Sequence, residues 1–299
     1  MNLSKKLFAP ALALSLALSM AACGGSDSAP TSSAPASSAP ASSEASSSEA
    51  ASKSNPDTNT QLVVGASPAP HAEILEQVKP ILAEQGITLQ IQEFTDYVMP
   101  NMALDAGDID ANYFQHYPYL ENFNKENSTN LVSAAAIHFE PLGLYPGKTA
   151  ELDQLADGAT IAVPNDPTNE ARALLLLQKL ELITLADGAG LEATPLDITD
   201  NPKNLKFEEI EAAQLPQVLP DVDFAVINGN YAVGAGIAGS VLTTEDKESE
   251  AAQEFANIVA VRNGDESRPE IQALVQALAS DSVRDFINKT YGIAVIPMF

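Results

Sequence analysis

From Leu62 onward, short apolar runs alternate with segments whose apolar residues recur at helical spacing. This alternation confines the chain to few folds. Leu62-Val63-Val64-Gly65 reads as a strand. Residues 71–85 place Ile74, Leu75, Val78, Ile81 and Leu82 on one helical stripe, with Gly86 as the stop. Ile87, Leu89 and Ile91 alternate, so 87–94 reads as a second strand. Further strands are expected over 109–112, 131–137, 160–163, 205–210, 223–227 and 258–261. Helices are expected over 98–104, 118–124, 169–182, 270–279 and 282–290, and after Asn228. The pattern predicts an α/β fold with mainly parallel sheets. Its length suits two lobes better than one. The stretch 141–147 holds two Pro and two Gly, and 243–253 is polar and acidic. Taken as two crossings, they give a discontinuous first lobe over 61–142 plus 254–299 and a second lobe over 143–253.

The segment before Leu62 has another character. Lys5 and Lys6 precede an apolar run, 7–20, that is short for a bilayer span. Ala21 and Ala22 then lead to Cys23, the only Cys in the chain. A signal peptide over 1–22 is expected. Met20-Ala21-Ala22-Cys23 resembles a bacterial lipobox, which implies cleavage before Cys23 and acylation of Cys23. Buried acyl methylenes are worth about 0.8 kcal/mol each, so several chains on one residue anchor stably. Ser, Ala and Pro fill 25 of the 37 positions in 24–60, with no Leu, Ile, Val or aromatic residue. Such a composition cannot offset its ordering entropy. Residues 23–60 are therefore expected to form a lipidated, disordered tether, with an r.m.s. reach of roughly 30–35 Å. The chain is expected on the extracytoplasmic side of a cell membrane.

Charge excludes several functions. Fifteen Lys+Arg stand against 40 Asp+Glu, a net of −25. Nucleic-acid binding needs clustered cations, and so does a polybasic membrane surface. One Cys supplies neither a disulfide nor a multi-thiolate metal centre. The chain carries no Gly-x-Ser-x-Gly elbow, phosphate-binding Gly loop or His-Glu-x-x-His pair, so no enzyme, cofactor or metal is expected.

Candidate chemistry lies in three stretches. Tyr113, Phe114, Tyr117, Tyr119 and Phe123 place five of the 17 aromatics within eleven residues, with His116 among them. Aromatic faces suit an apolar or sulfur-bearing ligand; equally, Tyr119 and Phe123 fit one core-facing helical stripe. The second stretch is Val163-Pro164-Asn165-Asp166-Pro167-Thr168-Asn169-Glu170-Ala171-Arg172. There Thr168 or Asn169 can cap a helix, and helix starts attract anions. Arg172, one of four Arg, is expected in the first turn, where the helix dipole disfavours a cation. A ligand carboxylate held by two parallel bonds from Arg172 would explain it, as would a salt bridge to Asp166 or Glu170. The third stretch is Ile227-Asn228-Gly229-Asn230-Tyr231-Ala232, at the carboxyl end of an expected strand, where open α/β sheets bind ligands.

These motifs, with Asp96-Tyr97-Val98, Leu174-Leu175-Leu176-Leu177-Gln178-Lys179 and Asn201-Pro202-Lys203-Asn204-Leu205, are similar to those of the NlpA lipoprotein family. The resemblance runs from about Leu62 to the C-terminus. It implies a two-lobed, periplasmic-binding-protein-like (type 2) fold. It also implies capture of methionine, L- or D-, for the permease and ATPase of an ABC importer. Arg172 would hold the ligand carboxylate, helped by a helix cap at Asn169. Asn228 and Asn230 would bind the charged groups. Tyr97, Phe114 and His116 would wall the thioether pocket, with Tyr113 or Tyr119 beside them. The extra Tyr hydroxyls leave room for a Met-containing dipeptide. The competing classes are a receptor for another amino acid or peptide, a secreted hydrolase using paired carboxylates, an acidic scaffold, and a metal receptor using His71, His116 and His138.

Overall fold

A computed structural model describes residues 60–246 and 253–299. The expected leader, the expected lipidation site Cys23 and residues 24–59 lie outside these residues. Thr60, which composition assigned to the tether, is the first residue of a strand.

The first sheet gathers β1 (Thr60–Ala66), β2 (Ile87–Glu93), β3 (Ala111–His116) and β4 (Leu131–Phe139). Helices α1 (Glu73–Ala83), α2 (Met99–Ala106) and α3 (Tyr117–Asn127) connect them, and a short π-helical turn, Pro68–Ala72, precedes α1. Strand β1 reads as an unbroken apolar run because both faces are covered. Leu62, Val64 and Ala66 pack with Ile74, Leu75, Val78 and Leu82 of α1. Val63 packs on the other side with Ala103 and Leu104 of α2.

After β4 the chain crosses into a second sheet. This contains β5 (Gly143–Pro146), β6 (Thr160–Pro164), β9 (Lys206–Ile210), β10 (Phe224–Ile227) and β11 (Thr243–Thr244) in the order β11-β5-β10-β6-β9. Strands β7 (Thr184–Leu185) and β8 (Ile198–Asp200) form a separate pair. Helices α4 (Pro167–Lys179), α5 (Leu215–Val218) and α6 (Gly229–Gly234) connect the larger strands. The chain then returns as β12 (Asn257–Arg262), two helices (Pro269–Leu278 and Asp281–Tyr291) and β13 (Ile296–Pro297). These complete the first sheet in the order β13-β4-β12-β3-β1-β2. The fold is therefore two-lobed, with a discontinuous first lobe.

The sheets are mixed, not mainly parallel. Strand β1 runs parallel to β2 and β3, but β12 runs antiparallel to β3 and β4, and β13 antiparallel to β4. In the second sheet β6 is parallel to β9 and β10, whereas β5 is antiparallel to β10 and β11. The cause is the double crossing. Strands β3 and β10 end at the junction between the lobes, while β5 and β12 start there, so each newcomer runs against its neighbour. The stretch 141–147 accordingly contains β5, and 243–253 begins with β11. Pro and Gly hide β5 from periodicity. The two crossings also touch: Glu245 N–H donates to Leu142 O at 2.9 Å.

Leu174 of α4 is fully buried in the second lobe among Ile161, Val163, Phe224 and Val226. Leu174→Ala is expected to lower stability by about 2–5 kcal/mol. Urea unfolding followed by circular dichroism measures it.

Candidate functional site

Strand ends deliver the side chains. Strand β3 leads straight into α3, β6 into α4 and β10 into α6, so Phe114, His116 and Tyr119 meet Asn169, Arg172, Asn228 and Asn230 where the lobes face each other. Together with Tyr97 they line a tight cavity, completed by Gln115, Glu140, Gly229 and Asn257.

One end of the cavity is aromatic. The Tyr97 ring lies 5.9 Å from Phe114, 5.7 Å from Tyr119 and 5.0 Å from Tyr231, centroid to centroid. Hydroxyls fasten the rings. Tyr97 Oη donates to Asn230 Oδ1 at 2.5 Å, Tyr119 Oη to Tyr97 O at 3.0 Å, and Tyr231 Oη to Thr95 O at 3.2 Å. The first and third of these bonds join the two lobes.

The other end is polar and centres on Asn169. Its Oδ1 accepts from Asn228 Nδ2 at 2.9 Å and Arg172 Nη1 at 3.1 Å, and it contacts His116 Nε2 at 3.1 Å. His116 caps α3, accepting the Tyr119 N–H at Nδ1. Burial pushes its pKa down to about 3, reinforced by the Arg172 charge, so the imidazole is neutral. Its proton therefore sits on Nε2 and donates to Asn169.

Helix α4 begins differently from expectation. Its N-cap is Asp166, neither Thr168 nor Asn169, with Pro167 in the first position. Asp166 Oδ1 accepts from Asn169 N at 3.0 Å, Asn169 Nδ2 at 2.8 Å and Thr168 Oγ1 at 3.2 Å. The chain's own carboxylate therefore fills the anion-attracting helix end. Arg172 consequently lies in the second turn, and its charge is met by neither Asp166 nor Glu170. Arg172 Nε and Nη2 form two parallel bonds to the Glu245 carboxylate, at 3.0 and 2.6 Å. The guanidinium is 3% exposed and lies 4.3 Å from the centroid of the Phe255 ring.

Two acceptors remain for a cationic group. Asn228 Oδ1 is buried with no hydrogen-bond partner among the described residues. Glu140, buried at the first crossing, accepts from His138 Nε2 at 2.6 Å and from the backbone N–H of Asn230. Gly229 permits this approach, because a Cβ there would stand 2.8 Å from Glu140 Cβ.

Tyr113 does not join the site. Adjacent strand residues point to opposite faces, so with Phe114 at the cavity the Tyr113 ring turns into the core of the first lobe, where its hydroxyl bonds His138 Nδ1. Tyr119 lines the cavity and also packs with Phe114 and Phe123. The three histidines do not converge either. His71 and His138 stand with Glu140, their ligand atoms within 4.8 Å of one another, whereas His116 faces Asn169. The remaining nitrogens of that cluster are engaged: His71 Nδ1 with Ser67 Oγ at 3.1 Å and Nε2 with Asn257 Oδ1 at 3.0 Å. Burial pushes His71 down to about 4 and His138 to about 3, so both are neutral. The set is a satisfied hydrogen-bond network behind the cavity.

Sequence reasoning missed Glu140, Gln115, Asn257 and Glu245. Glu140 had a faint signal, a lone acid after the strand run Ala134 to Phe139. Glu245 had none, because it opens an acidic stretch in which every carboxylate looks alike.

A family model for the NlpA lipoprotein matches residues 62–299. The chain belongs to the NlpA lipoprotein family. It is 39% identical to the methionine-binding lipoprotein MetQ of Bacillus subtilis, over 98% of this chain and 99% of that protein. A nutrient-binding protein from Burkholderia cenocepacia, solved bound to methionine, is 44% identical with a TM-score of 0.76, covering 80% of this chain and all of that one. The lipoprotein Tp32 of Treponema pallidum is 40% identical with a TM-score of 0.76 over the same shares. Among the described residues no helix is long and apolar enough to cross a membrane.

Glu170, in the first turns of α4, supplies a pH test. Burial, then Glu209 and Asp166, push its carboxyl up from 4.5 to about 7. Between these values the folded chain holds a proton that the unfolded chain has released, so this group's contribution to stability falls as pH rises. Glu170→Gln is expected to melt higher than the parent at pH 8, with the gap closing toward pH 4.5. Thermal scans across that range check it.

Proposed function

We propose that this NlpA-family chain is an extracytoplasmic binding lipoprotein that captures methionine and delivers it to a membrane ABC importer. The observation that carries the reading is the two-ended cavity, ring-lined at one end and holding Arg172, Asn228 and Glu140 at the other. Methionine has the same polarity. Its carboxylate would take the Arg172 Nη1 edge. Its ammonium would take the orphan Asn228 Oδ1 and Glu140. Each charged end needs such a partner once water is expelled.

The thioether would lie among Tyr97, Phe114 and Tyr119, where sulfur–ring contacts and burial at about 25 cal/mol/Å² favour it. His116 and Asn230 act from the wall: His116 through Asn169, and Asn230 through Tyr97 and Glu140. Capture requires no bond to break, only closure of the lobes about their two crossings. The methionine named in the Burkholderia structure supports this ligand. Acylated Cys23 and the Ser/Ala/Pro segment would hold the module near its permease.

Titration calorimetry with L-methionine tests the site. The wild-type chain is expected to bind, and Arg172→Ala to lose at least about 100-fold in affinity while remaining folded by circular dichroism. Near-normal affinity in that variant would remove the carboxylate assignment. Cys23→Ser is expected to shift the protein from the membrane to the soluble fraction of cells. A variant still sedimenting with membranes would refute the anchor.

A further inference from the structure

Arg172 is held from behind. A guanidinium offers five N–H groups. Glu245 takes Nε and one on Nη2, Asn169 takes one on Nη1, and Glu140 O lies 3.4 Å from Nη2. One N–H remains on Nη1. Glu245 does not line the site cavity. It lines a neighbouring cavity with Pro141, Tyr145 and Lys179, which meets the site cavity at Gly229. The same carboxylate binds both crossings: Oε2 accepts Leu142 N–H at 2.9 Å, and Glu245 N–H returns a bond to Leu142 O at 2.9 Å.

We propose that Glu245 is a positioning residue for ligand capture. It locks one edge of Arg172, turns the Nη1 edge toward the ligand carboxylate, and ties that guanidinium to both chain crossings. Two physical consequences follow. A long, flexible side chain gains a single orientation, so less freedom is lost on binding. The Glu245 charge also compensates the buried Arg172 guanidinium before a ligand arrives. The proposal rests on the methionine reading and adds to it a residue that never touches the ligand.

The test compares L-methionine with L-methioninamide, which lacks the carboxylate, by calorimetry on wild type, Arg172→Ala, Glu245→Gln and Glu245→Asp. Glu245→Gln is expected to lose about 10-fold in its preference for methionine over the amide, because a charge-assisted pair is replaced by a neutral contact. Methioninamide affinity is expected to stay within about 3-fold of wild type, and Glu245→Asp is expected to lose an intermediate amount. Equal losses for both ligands would mean a purely structural role and would overturn the proposal. So would an unchanged preference, or tighter methionine binding, which would make Glu245 a competitor for Arg172. Should Glu245→Gln not fold, the folded Asp variant decides, and full preference there overturns the proposal. A wild type without preference for the carboxylate sinks the methionine reading itself, whereas an Arg172→Ala variant that keeps the preference removes the carboxylate assignment and, with it, the positioning role. An intact preference in Glu245→Gln alone sinks only the positioning role.

Discussion

A guanidinium buried between two lobes must be neutralised and hydrogen-bonded, or it costs several kcal/mol. Around Arg172 that requirement draws in separate segments of chain. Asn169 comes from its own helix, Glu140 O from the first crossing, and Glu245 and the Phe255 ring from the return. No one of these segments completes the shell. Holding this cation therefore ties the second lobe to both chain crossings. Breaking such a buried pair by removing one partner costs roughly 3–5 kcal/mol, enough to matter against the total stability of a domain.

The division of labour between lobes follows from sheet topology. In open α/β sheets the carboxyl ends of strands and the helix starts that follow them collect at one edge. Here β3 brings rings to that edge and β6 and β10 bring amides and the cation. One lobe thus contributes most of the apolar wall and the other most of the polar end, and the cavity between them is chemically polarised. Behind it, His138 bonds both Glu140 and Tyr113, while His71, held by Ser67 and Asn257, stands 3.4 Å from the same Glu140 oxygen. This network fixes the Glu140 carboxyl group at the cavity wall, where burial raises its pKa.

Much of this was legible locally. The strands flanking the site and the helices after them follow from apolar periodicity and from Gly and Pro punctuation. The three chemistry-bearing stretches stood out by composition. Local reading erred where neighbours in sequence compete for one role. Asp166, not Asn169, caps α4, because the chain turns one step before Pro167, which suits the first helical position. Of the two pocket candidates Tyr113 and Tyr119, strand alternation sends Tyr113 into the core, whereas the start of α3 leaves Tyr119 at the cavity. Strand β5 lies in a stretch that looks like a mere crossing, because Pro and Gly border a run too short to show a period.

By itself the sequence determined the α/β alternation, the two-lobed division, the acidic surface and which residue types were available to grip a ligand. Each of these follows from short-range patterns, since periodicity and turn chemistry act over a few residues. Only the tertiary structure decided partnerships. Arg172 and Glu245 are 73 positions apart and His71 and Asn257 are 186 apart. A carboxylate in an acidic run carries no mark of the cation it will meet. The meeting is set by where two crossings and a helix converge, and that convergence depends on packing both cores at once.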